Sequence, residues 1–362
     1  MKQQIITALE IVVTTFIFSA IIMFLMRKVA HHIGALDMPR EEEEHRHIHK
    51  KITPKLGAVG IFLSFMLGYM LFGEQSIRMN SILIGSFIII LASIVDDIKE
   101  IRAVYKFIVH IIAASVIVFY GGILLNNITA FGYSFDFGIL AYPITILFIV
   151  ACTNIINLID GLDGLSGGIC SIFYITTAII GFYQGRFGSL VMILTLIMLG
   201  STLGFLLHNF HPAKIFAGDG TTFEGFIIAV ITLLEFKGPA LISFFVPVLI
   251  LGIPILDTLF AIIRRLLKGQ PPFQADKQHL HHQLLGMNFS QTVTVLIIYG
   301  INILFAAAAL IFTLINPQIG QILLIIIFVI VVWFVFHTSI ISDKNPERFK
   351  KLEKKIGLKK KD

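Results

Sequence analysis

The chain has 362 residues, of which 56% are hydrophobic and only 14% are charged, and its formal net charge is +6. Its mean hydropathy is +0.89, whereas an ordinary soluble domain carries about 25% charged residues. This composition excludes a disordered chain and argues against a water-soluble globule. The two cysteines, Cys152 and Cys170, lie in apolar stretches, which excludes a disulfide framework or a Cys-rich zinc site.

Unbroken apolar runs predict an all-α polytopic membrane protein with about 11 transmembrane helices, because each crossing needs about 20 apolar residues. The runs do not alternate, which argues against a transmembrane β-barrel. The first run is too long for a signal-peptide core and lacks a small-residue cleavage site, so we expect a retained helix. The predicted spans are 5–26, 56–73, 80–95, 105–121, 137–152, 165–183, 188–207, 222–236, 239–263, 292–314 and 318–341, of which the third, fifth and eighth are short.

Lys and Arg residues concentrate on one side of this predicted topology. All but four of the 28 lie in loops 27–55, 96–105, 208–221 and 264–291, at a helix start, or in the tail after residue 341. The positive-inside rule makes that side cytoplasmic, with the N-terminus outside and the C-terminus inside. We therefore expect one transmembrane domain over residues 1–341 and a basic cytoplasmic tail over 342–362. The tail is either a positive-inside anchor or a segment that lies on anionic lipid. The basic charge needs no nucleic-acid partner.

Polar motifs that could carry chemistry all fall on this predicted cytoplasmic side. Asp96 and Asp97 end the third span, and two adjacent carboxylates repel each other unless a cation lies between them. They are interpreted as a metal-binding or general-base pair, with a hydrated helix end as the alternative. Ionisable residues at a membrane boundary are costly and usually mark a site.

A second motif follows the fifth span, where four polar residues recur at intervals of three: Asn154, Asn157, Asp160 and Asp163. If the segment is helical, neighbouring members share a face. Oxygen-rich clusters of this kind suit Mg²⁺, which takes a few carboxylates plus phosphate oxygens. An Asx-rich cap and turn is the alternative interpretation.

Three further segments add charge to the same side. Asp219 lies in a Gly-Asp-Gly turn that shares a loop with Lys214, a point charge suited to phosphate. The histidines His279, His281 and His282 fit no standard zinc spacing and could donate to a diphosphate. In the first cytoplasmic loop, Arg46, His49 and Lys55 could contact phosphate.

The residues alone therefore predict a cytoplasmic-face site with several carboxylates, Mg²⁺ and several basic groups. This equipment suits phosphoryl transfer, in which positioning and charge neutralisation dominate. No G-x-x-x-x-G-K-[ST] motif is present, so a P-loop ATPase is not indicated. A site at the membrane face suggests one water-soluble and one lipid substrate.

At these motifs the sequence resembles the polyprenyl-phosphate N-acetylhexosamine-1-phosphate transferases of glycosyltransferase family 4. Four blocks carry the resemblance: the Asp-Asp pair, N-x-x-N-x-x-D-G-x-D-G, H-P-A-K-I-F-x-G-D-G and D-K-x-H-L-H-H. Leu280 interrupts the histidine run, which is similar to the TagO/WecA branch and unlike the three adjacent histidines usual in the MraY branch. The resemblance covers nearly the whole chain.

The resemblance implies that undecaprenyl phosphate attacks UDP-N-acetylglucosamine, with release of UMP and formation of lipid-linked GlcNAc-diphosphate, the first step of a cell-wall glycopolymer such as teichoic acid. It further implies a bacterial cell membrane location with the site facing the cytoplasm; a homodimer is a separate expectation. Roles follow by motif position. They are Mg²⁺ ligation for Asn157 and Asp219, catalysis for Asp96, Asp97, His281 and His282, and substrate contact for Arg46, His49, Lys55, Asn154, Asp160, Asp163, Lys214 and His279.

Three positions depart from the family pattern. Ala58 replaces a second Gly, Thr221 replaces a common Gly, and Glu224 replaces a usual apolar residue. None of them removes a catalytic group implied by the resemblance.

Two alternatives remain open at this stage. One keeps the family but takes another UDP-HexNAc donor such as UDP-MurNAc-pentapeptide, against which the His-Leu-His-His pattern argues. The other is an ion-coupled transporter, which would place its charges near the bilayer midplane and often shows inverted repeats. The acids here gather on one side, and the sequence shows no repeat.

Overall fold

The computed structural model describes residues 2–38, 52–130, 133–235, 251–267 and 280–337. The chain divides into two compact units, residues 1–247 and 248–362, which are described separately. The tail 342–362, the part of the predicted ninth span before residue 251, and Arg46, His49 and His279 lie outside the described residues.

The first unit is built from eight helices in its described part, with two short β-ribbons between them. The helices are α1 (Lys2–Ile33), α2 (Gly57–Phe72), α3 (Ile77–Ile98), α4 (Ala103–Ser115), α5 (Ala141–Ile159), α6 (Leu165–Tyr183), α7 (Leu190–Asn209) and α8 (Thr221–Glu235). Strand β1 (Leu36–Asp37) pairs antiparallel with β2 (Thr53–Pro54), and β3 (Asn127–Ala130) pairs with β4 (Tyr133–Asp136). The sequence did not predict either ribbon.

The second unit contains four helices in its described part. They are α9 (Gly252–Leu267), α10 (Leu280–Gly286), α11 (Gln291–Leu310) and α12 (Pro317–His337). Ser290 is the N-cap of α11. Its side chain accepts a hydrogen bond from the amide of Val293, which satisfies one of the unpaired backbone donors of the first turn.

Seven helices in the described part of the chain are long and apolar enough to cross a membrane. They confirm a mainly helical, multi-pass membrane protein, while the count of eleven crossings and the orientation of the termini stay predictions. Helix α3, predicted as short, has 22 residues. Helix α5 and its preceding turn also form 22 helical residues. The predicted spans for α3 and α5 were too short because polar residues at the helix ends interrupt the apolar runs but not the helices.

Helix α8 is the central helix of the first unit. Every residue of α8 except Leu234 is buried, and the helix packs mainly against α5. Helix α1 lies at the outside, where Leu9, Val13, Ile17 and Ile21 are about half exposed, as expected for side chains that face lipid. It packs on α7, and its Ser19 hydroxyl donates to the carbonyl of Ser201 at 2.6 Å.

The packing brings helix ends together at one end of this unit. The C-terminal ends of α3 and α5 meet the N-terminal ends of α4 and α8 there, through the side-chain contacts described below. At the other end of α8, Arg186 pairs with Glu235 at 3.2 Å and also donates to its backbone carbonyl. The polar side chains of α3, α4, α5 and the turn before α8 are therefore gathered at one end of α8, and this ion pair marks the opposite end.

Candidate active site

Asp96 and Asp97, the pair that ends α3, have different surroundings. Oδ1 of Asp96 accepts from the amide of Ile101 at 2.9 Å, and its Oδ2 accepts from the Lys106 ammonium at 2.7 Å. Both oxygens of Asp96 are therefore engaged. Asp97 forms no ion pair within the described part of the chain, and its Oδ1 accepts one backbone hydrogen bond from Asp219 at 3.2 Å.

Lys106, in the first turn of α4, bridges two carboxylates. Its ammonium lies 2.7 Å from Asp96 and 3.0 Å from Asp219, and about a quarter of its side chain is exposed. The cation in this structure lies between Asp96 and Asp219 and not between Asp96 and Asp97, so the metal-binding or general-base role of the adjacent pair stays a prediction. The bridge fixes the end of α3 against the loop before α8.

Asp219 lies on a single 3₁₀ turn, Gly218–Gly220, that leads directly into α8. Gly218 has φ +72°, which only glycine adopts readily, and a Cβ there would meet the Asp97 carboxylate. The Thr222 hydroxyl donates to the Asp219 carbonyl at 2.7 Å. The position of Asp219 is thus set by the start of α8 and by close contact with Asp97.

Asn157, near the end of α5, completes this group. Its amide nitrogen lies 3.3 Å from Oδ1 of Asp219 and 3.1 Å from the hydroxyl of Thr221. The structure therefore brings Asp96, Asp97, Asn157 and Asp219 together, with Lys106 among them. We refer to these five residues as the acidic cluster.

Asn154 takes a different direction from the same helix. Its amide donates to the Val150 carbonyl at 2.7 Å and lies 3.2 Å from Nδ1 of His110 on α4. Because the amide nitrogen is the donor, Nδ1 of the buried His110 is the acceptor. The substrate contact of Asn154 stays a prediction. In the structure, the contact of Asn154 with His110 joins α5 to α4.

Asp160 and Asp163 lie in the loop between α5 and α6. The buried Asp163 accepts through Oδ2 from His211 at 2.7 Å and from the amide of Ala213 at 3.0 Å, which ties this loop to the segment before Asp219. Asp160 accepts from the Ser166 hydroxyl at 2.5 Å. Burial, assisted by the nearby Asp163 charge, raises the pKa of Asp160 to about 6.

Lys55 and Lys214 flank the acidic cluster. Lys55 pairs with Asp37 at 3.4 Å, and its backbone carbonyl lies beside Gly218. Lys214 is exposed, and its backbone amide donates to the His208 carbonyl at 2.8 Å. Both remain predicted substrate contacts with side chains accessible to solvent.

The histidine motif belongs to the second unit. His281 is buried, His282 is partly exposed, and their rings lie 4.3 Å apart. The start of α10 is held by Asp257 on α9, which accepts from the amide of Leu280 at 2.8 Å. The roles implied for His281 and His282 stay predictions.

Comparison with known proteins identifies the family. Residues 79–235, which contain the whole acidic cluster, match the model of glycosyl transferase family 4. The chain is 38% identical to a probable undecaprenyl-phosphate N-acetylglucosaminyl 1-phosphate transferase of Bacillus subtilis, over 92% of both chains. The chain belongs to glycosyl transferase family 4.

More distant relatives carry related names. A decaprenyl-phosphate N-acetylglucosaminephosphotransferase of Mycobacterium tuberculosis is 32% identical over 81% of this chain and 79% of its own length. An undecaprenyl-phosphate alpha-N-acetylglucosaminyl 1-phosphate transferase of Salmonella typhi is 28% identical over 79% of each. The chain is therefore a TagO/WecA-like member of the family, whose homologues are polyprenyl-phosphate GlcNAc-1-phosphate transferases.

The acidic cluster offers donors that suit Mg²⁺. Among the described residues, no group of three or more His, Cys, Asp or Glu side chains could hold a metal ion. Asp97, Asp219 and Asn157 instead supply two carboxylates and one amide, all joined by contacts at Asp219. Proteins hold Mg²⁺ in phosphate sites through one or two carboxylates plus substrate phosphates, so this donor set fits.

Two residues of the site were missed from the sequence. Lys106 was counted only as a basic residue at a helix start, and His110 was read as part of an apolar span. A signal existed for Lys106, because a charged side chain in the first turn of a membrane helix lies at the same depth as the acids that end the previous helix. For His110 the signal was a lone imidazole in an apolar helix.

Proposed function

We propose that this protein transfers N-acetylglucosamine-1-phosphate from UDP-N-acetylglucosamine to undecaprenyl phosphate and releases UMP. The observation that carries the proposal is the acidic cluster, in which the Asp97 carboxylate accepts a hydrogen bond from the backbone amide of Asp219 at one end of the helical bundle. Family membership supports the acceptor and the transferred group, since the relatives' names state both. The donor is inferred from that group.

The reaction exchanges one phosphoanhydride bond for another. An oxygen of the lipid phosphate attacks the phosphorus that bears the sugar. The bond from that phosphorus to the bridging oxygen breaks, and the oxygen leaves with UMP. Since the phosphates are all anionic, the site must mainly position them and neutralise their charge. A bound Mg²⁺, held by Asp219 and Asn157, would supply charge neutralisation at the diphosphate.

We assign to Asp97 the role of orienting or deprotonating the lipid phosphate, and to Asp96 a supporting role. Both Asp96 oxygens already accept hydrogen bonds from Ile101 and Lys106. Asp97 accepts a single backbone bond among the described residues, which leaves an oxygen to orient or deprotonate the lipid phosphate. Lys106 keeps Asp96 and Asp219 from repelling each other, and its exposed portion can meet an incoming phosphate.

The setting proposed for this reaction follows from the topology. We place the site at the cytoplasmic face of a bacterial cell membrane, where UDP-sugars are found, and the product at the start of a glycopolymer such as teichoic acid. A homodimer remains part of the proposal. A transporter is not favoured, because the acids gather at one end of the first unit.

The test is UMP release by purified protein in detergent with undecaprenyl phosphate. Parallel reactions would contain UDP-N-acetylglucosamine or UDP-MurNAc-pentapeptide, each with Mg²⁺ or with a chelator. We expect Mg²⁺-dependent UMP from UDP-N-acetylglucosamine alone. UMP release from UDP-MurNAc-pentapeptide alone would show that this compound is the donor and not UDP-N-acetylglucosamine. UMP release from neither donor would contradict the proposal.

A further inference from the structure

A second buried carboxyl lies outside the proposed chemistry. Glu224 is 0% exposed and belongs to the first turn of α8, five residues after Asp219. An acid at this position departs from the apolar residue expected from the family resemblance. None of the reacting groups proposed above contacts it.

Glu224 joins α8 to α7. Its Oε1 accepts a hydrogen bond from the Thr202 hydroxyl on α7 at 2.7 Å. Its Oε2 is buried and has no hydrogen-bond partner among the described residues. On the other side of α8, the neighbouring Gly225 lies so close to Cys152 and Thr153 of α5 that a Cβ would be 2.6 Å from a backbone oxygen. The first turn of α8 is therefore held from both sides.

Stability alone does not explain this acid. No Lys or Arg pairs with Glu224 within the described residues. Burying a carboxyl is unfavourable, and replacing buried polar groups by well-packed apolar ones of similar volume is often neutral or stabilising. An apolar side chain would fill this position without the desolvation cost. Stability alone therefore gives no reason for an acid here.

What the first turn of α8 controls is the acidic cluster. Thr221 accepts from Asn157, and the Thr222 hydroxyl donates to the Asp219 carbonyl. A shift of this turn would move Asp219 relative to Asp97, whose carboxylate is in contact with the loop at Gly218. Small displacements of groups that bind the reacting phosphates reduce rates strongly.

We propose that Glu224 is a positioning residue for Asp219: by accepting a hydrogen bond from Thr202, it fixes the first turn of α8 and so the geometry of the acidic cluster. The inference rests on the proposed function for its effect on turnover. Its effect on metal binding by the acidic cluster can be measured without turnover.

The experiment uses the full-length protein in detergent and compares Glu224→Leu, Glu224→Gln and Thr202→Val. Three quantities are measured: kcat for UMP release, the dissociation constant for Mn²⁺ by electron paramagnetic resonance, and the thermal midpoint. Glu235, the other buried acid of α8, supplies the matched control as Glu235→Leu, because it lies at the opposite end of the helix and pairs with Arg186.

For Glu224→Leu we expect an unchanged or higher thermal midpoint, weaker Mn²⁺ binding, and a kcat lower by about tenfold to a hundredfold, the scale of a small misplacement. Glu224→Gln keeps an acceptor for Thr202 and should retain most activity. Thr202→Val should share the defect and add little to it in the double variant, because both remove the same contact. Glu235→Leu should leave kcat per folded molecule and Mn²⁺ binding unchanged.

Several results would overturn the inference. One is wild-type kcat and Mn²⁺ binding in Glu224→Leu. Another is a Glu224→Gln variant as impaired as Glu224→Leu, since that would exclude a hydrogen-bonding role. If Glu224→Leu does not fold, normal Mn²⁺ binding and normal kcat in Thr202→Val would overturn the inference. If the wild type releases no UMP, the proposed function fails, and Mn²⁺ binding alone decides the positioning role.

Discussion

The backbone amide of Asp219 donates to the Asp97 carboxylate at 3.2 Å, although the two residues are 122 positions apart in the chain. This contact joins the end of α3 to the turn before α8. It places the Asp97 carboxylate against the backbone of the turn that carries Asp219.

The variants Asp97→Asn and Asp96→Asn should differ in kcat for UMP release. Asp97→Asn removes the charge proposed to act on the lipid phosphate, so we expect kcat to fall by about 10²–10⁴-fold, the usual contribution of a general base. Asp96→Asn keeps an oxygen that can accept from Ile101 or Lys106 and should lose less. The measurement is UMP release at saturating substrates. A more severe loss in Asp96→Asn would reverse the assignment.

Lys106 should be essential although it was not identified from the sequence. In Lys106→Met the carboxylates of Asp96 and Asp219 lose their shared cation, and we expect kcat to fall about 10²-fold, comparable to the loss of one charge-stabilising contact in an active site. Lys106→Arg should keep part of the activity. Lys99→Met is the control, because Lys99 is exposed and forms no ion pair among the described residues. Equal UMP release by Lys106→Met and Lys99→Met would exclude the bridging role of Lys106.

Gly218→Ala should inactivate the enzyme through geometry alone. The added Cβ would meet the Asp97 carboxylate, and the left-handed backbone costs about 1 kcal/mol for a residue with a side chain. Gly188→Ala supplies the matched control. Gly188 has φ +88° with nothing within 4 Å of its Cβ position. Both variants carry the backbone strain, but only Gly218→Ala should lose UMP release. A similar loss in both would point to strain and not to contact with Asp97.

Asp160 should make the stability of the protein depend on pH. Burial raises its pKa from 3.8 to about 6, so the folded protein holds this proton more tightly than the unfolded chain does. The resulting stabilisation is complete below about pH 4 and is lost as the pH rises through about 6. Asp160→Asn mimics the protonated form. Its thermal midpoint should match the wild type near pH 4 and exceed it increasingly up to pH 7; a constant difference would contradict the shift.

The sequence identified most of the acidic cluster because membrane burial makes ionisable residues rare. Asp96, Asp97, Asn157 and Asp219 were all predicted and are all brought together. Lys106 was missed because a lysine at a helix start is also an ordinary membrane anchor. Only the fold shows that it lies 3.0 Å from a carboxylate 113 positions away.

Spacing was a weaker guide to which face each side chain takes. Asn154 and Asn157 lie three apart in α5, which favours one shared face. Yet Asn157 contacts Asp219, whereas Asn154 contacts His110 of α4. Helices α4 and α8 both pack against α5, and sequence periodicity carries no information about which neighbour lies where. The β3–β4 ribbon was missed for a similar reason, since short strands between membrane helices give little pattern.

The most direct test of the central claim follows the phosphorus atom. UDP-N-acetylglucosamine labelled at the sugar-bearing phosphorus is incubated with the protein, undecaprenyl phosphate and Mg²⁺, and the lipid and aqueous phases are separated. Transfer of the sugar phosphate predicts label in the lipid and unlabelled UMP in water, with both lost in Asp97→Asn. Label that stays in the aqueous phase as UDP while the sugar enters the lipid would show transfer of the sugar alone and contradict the account.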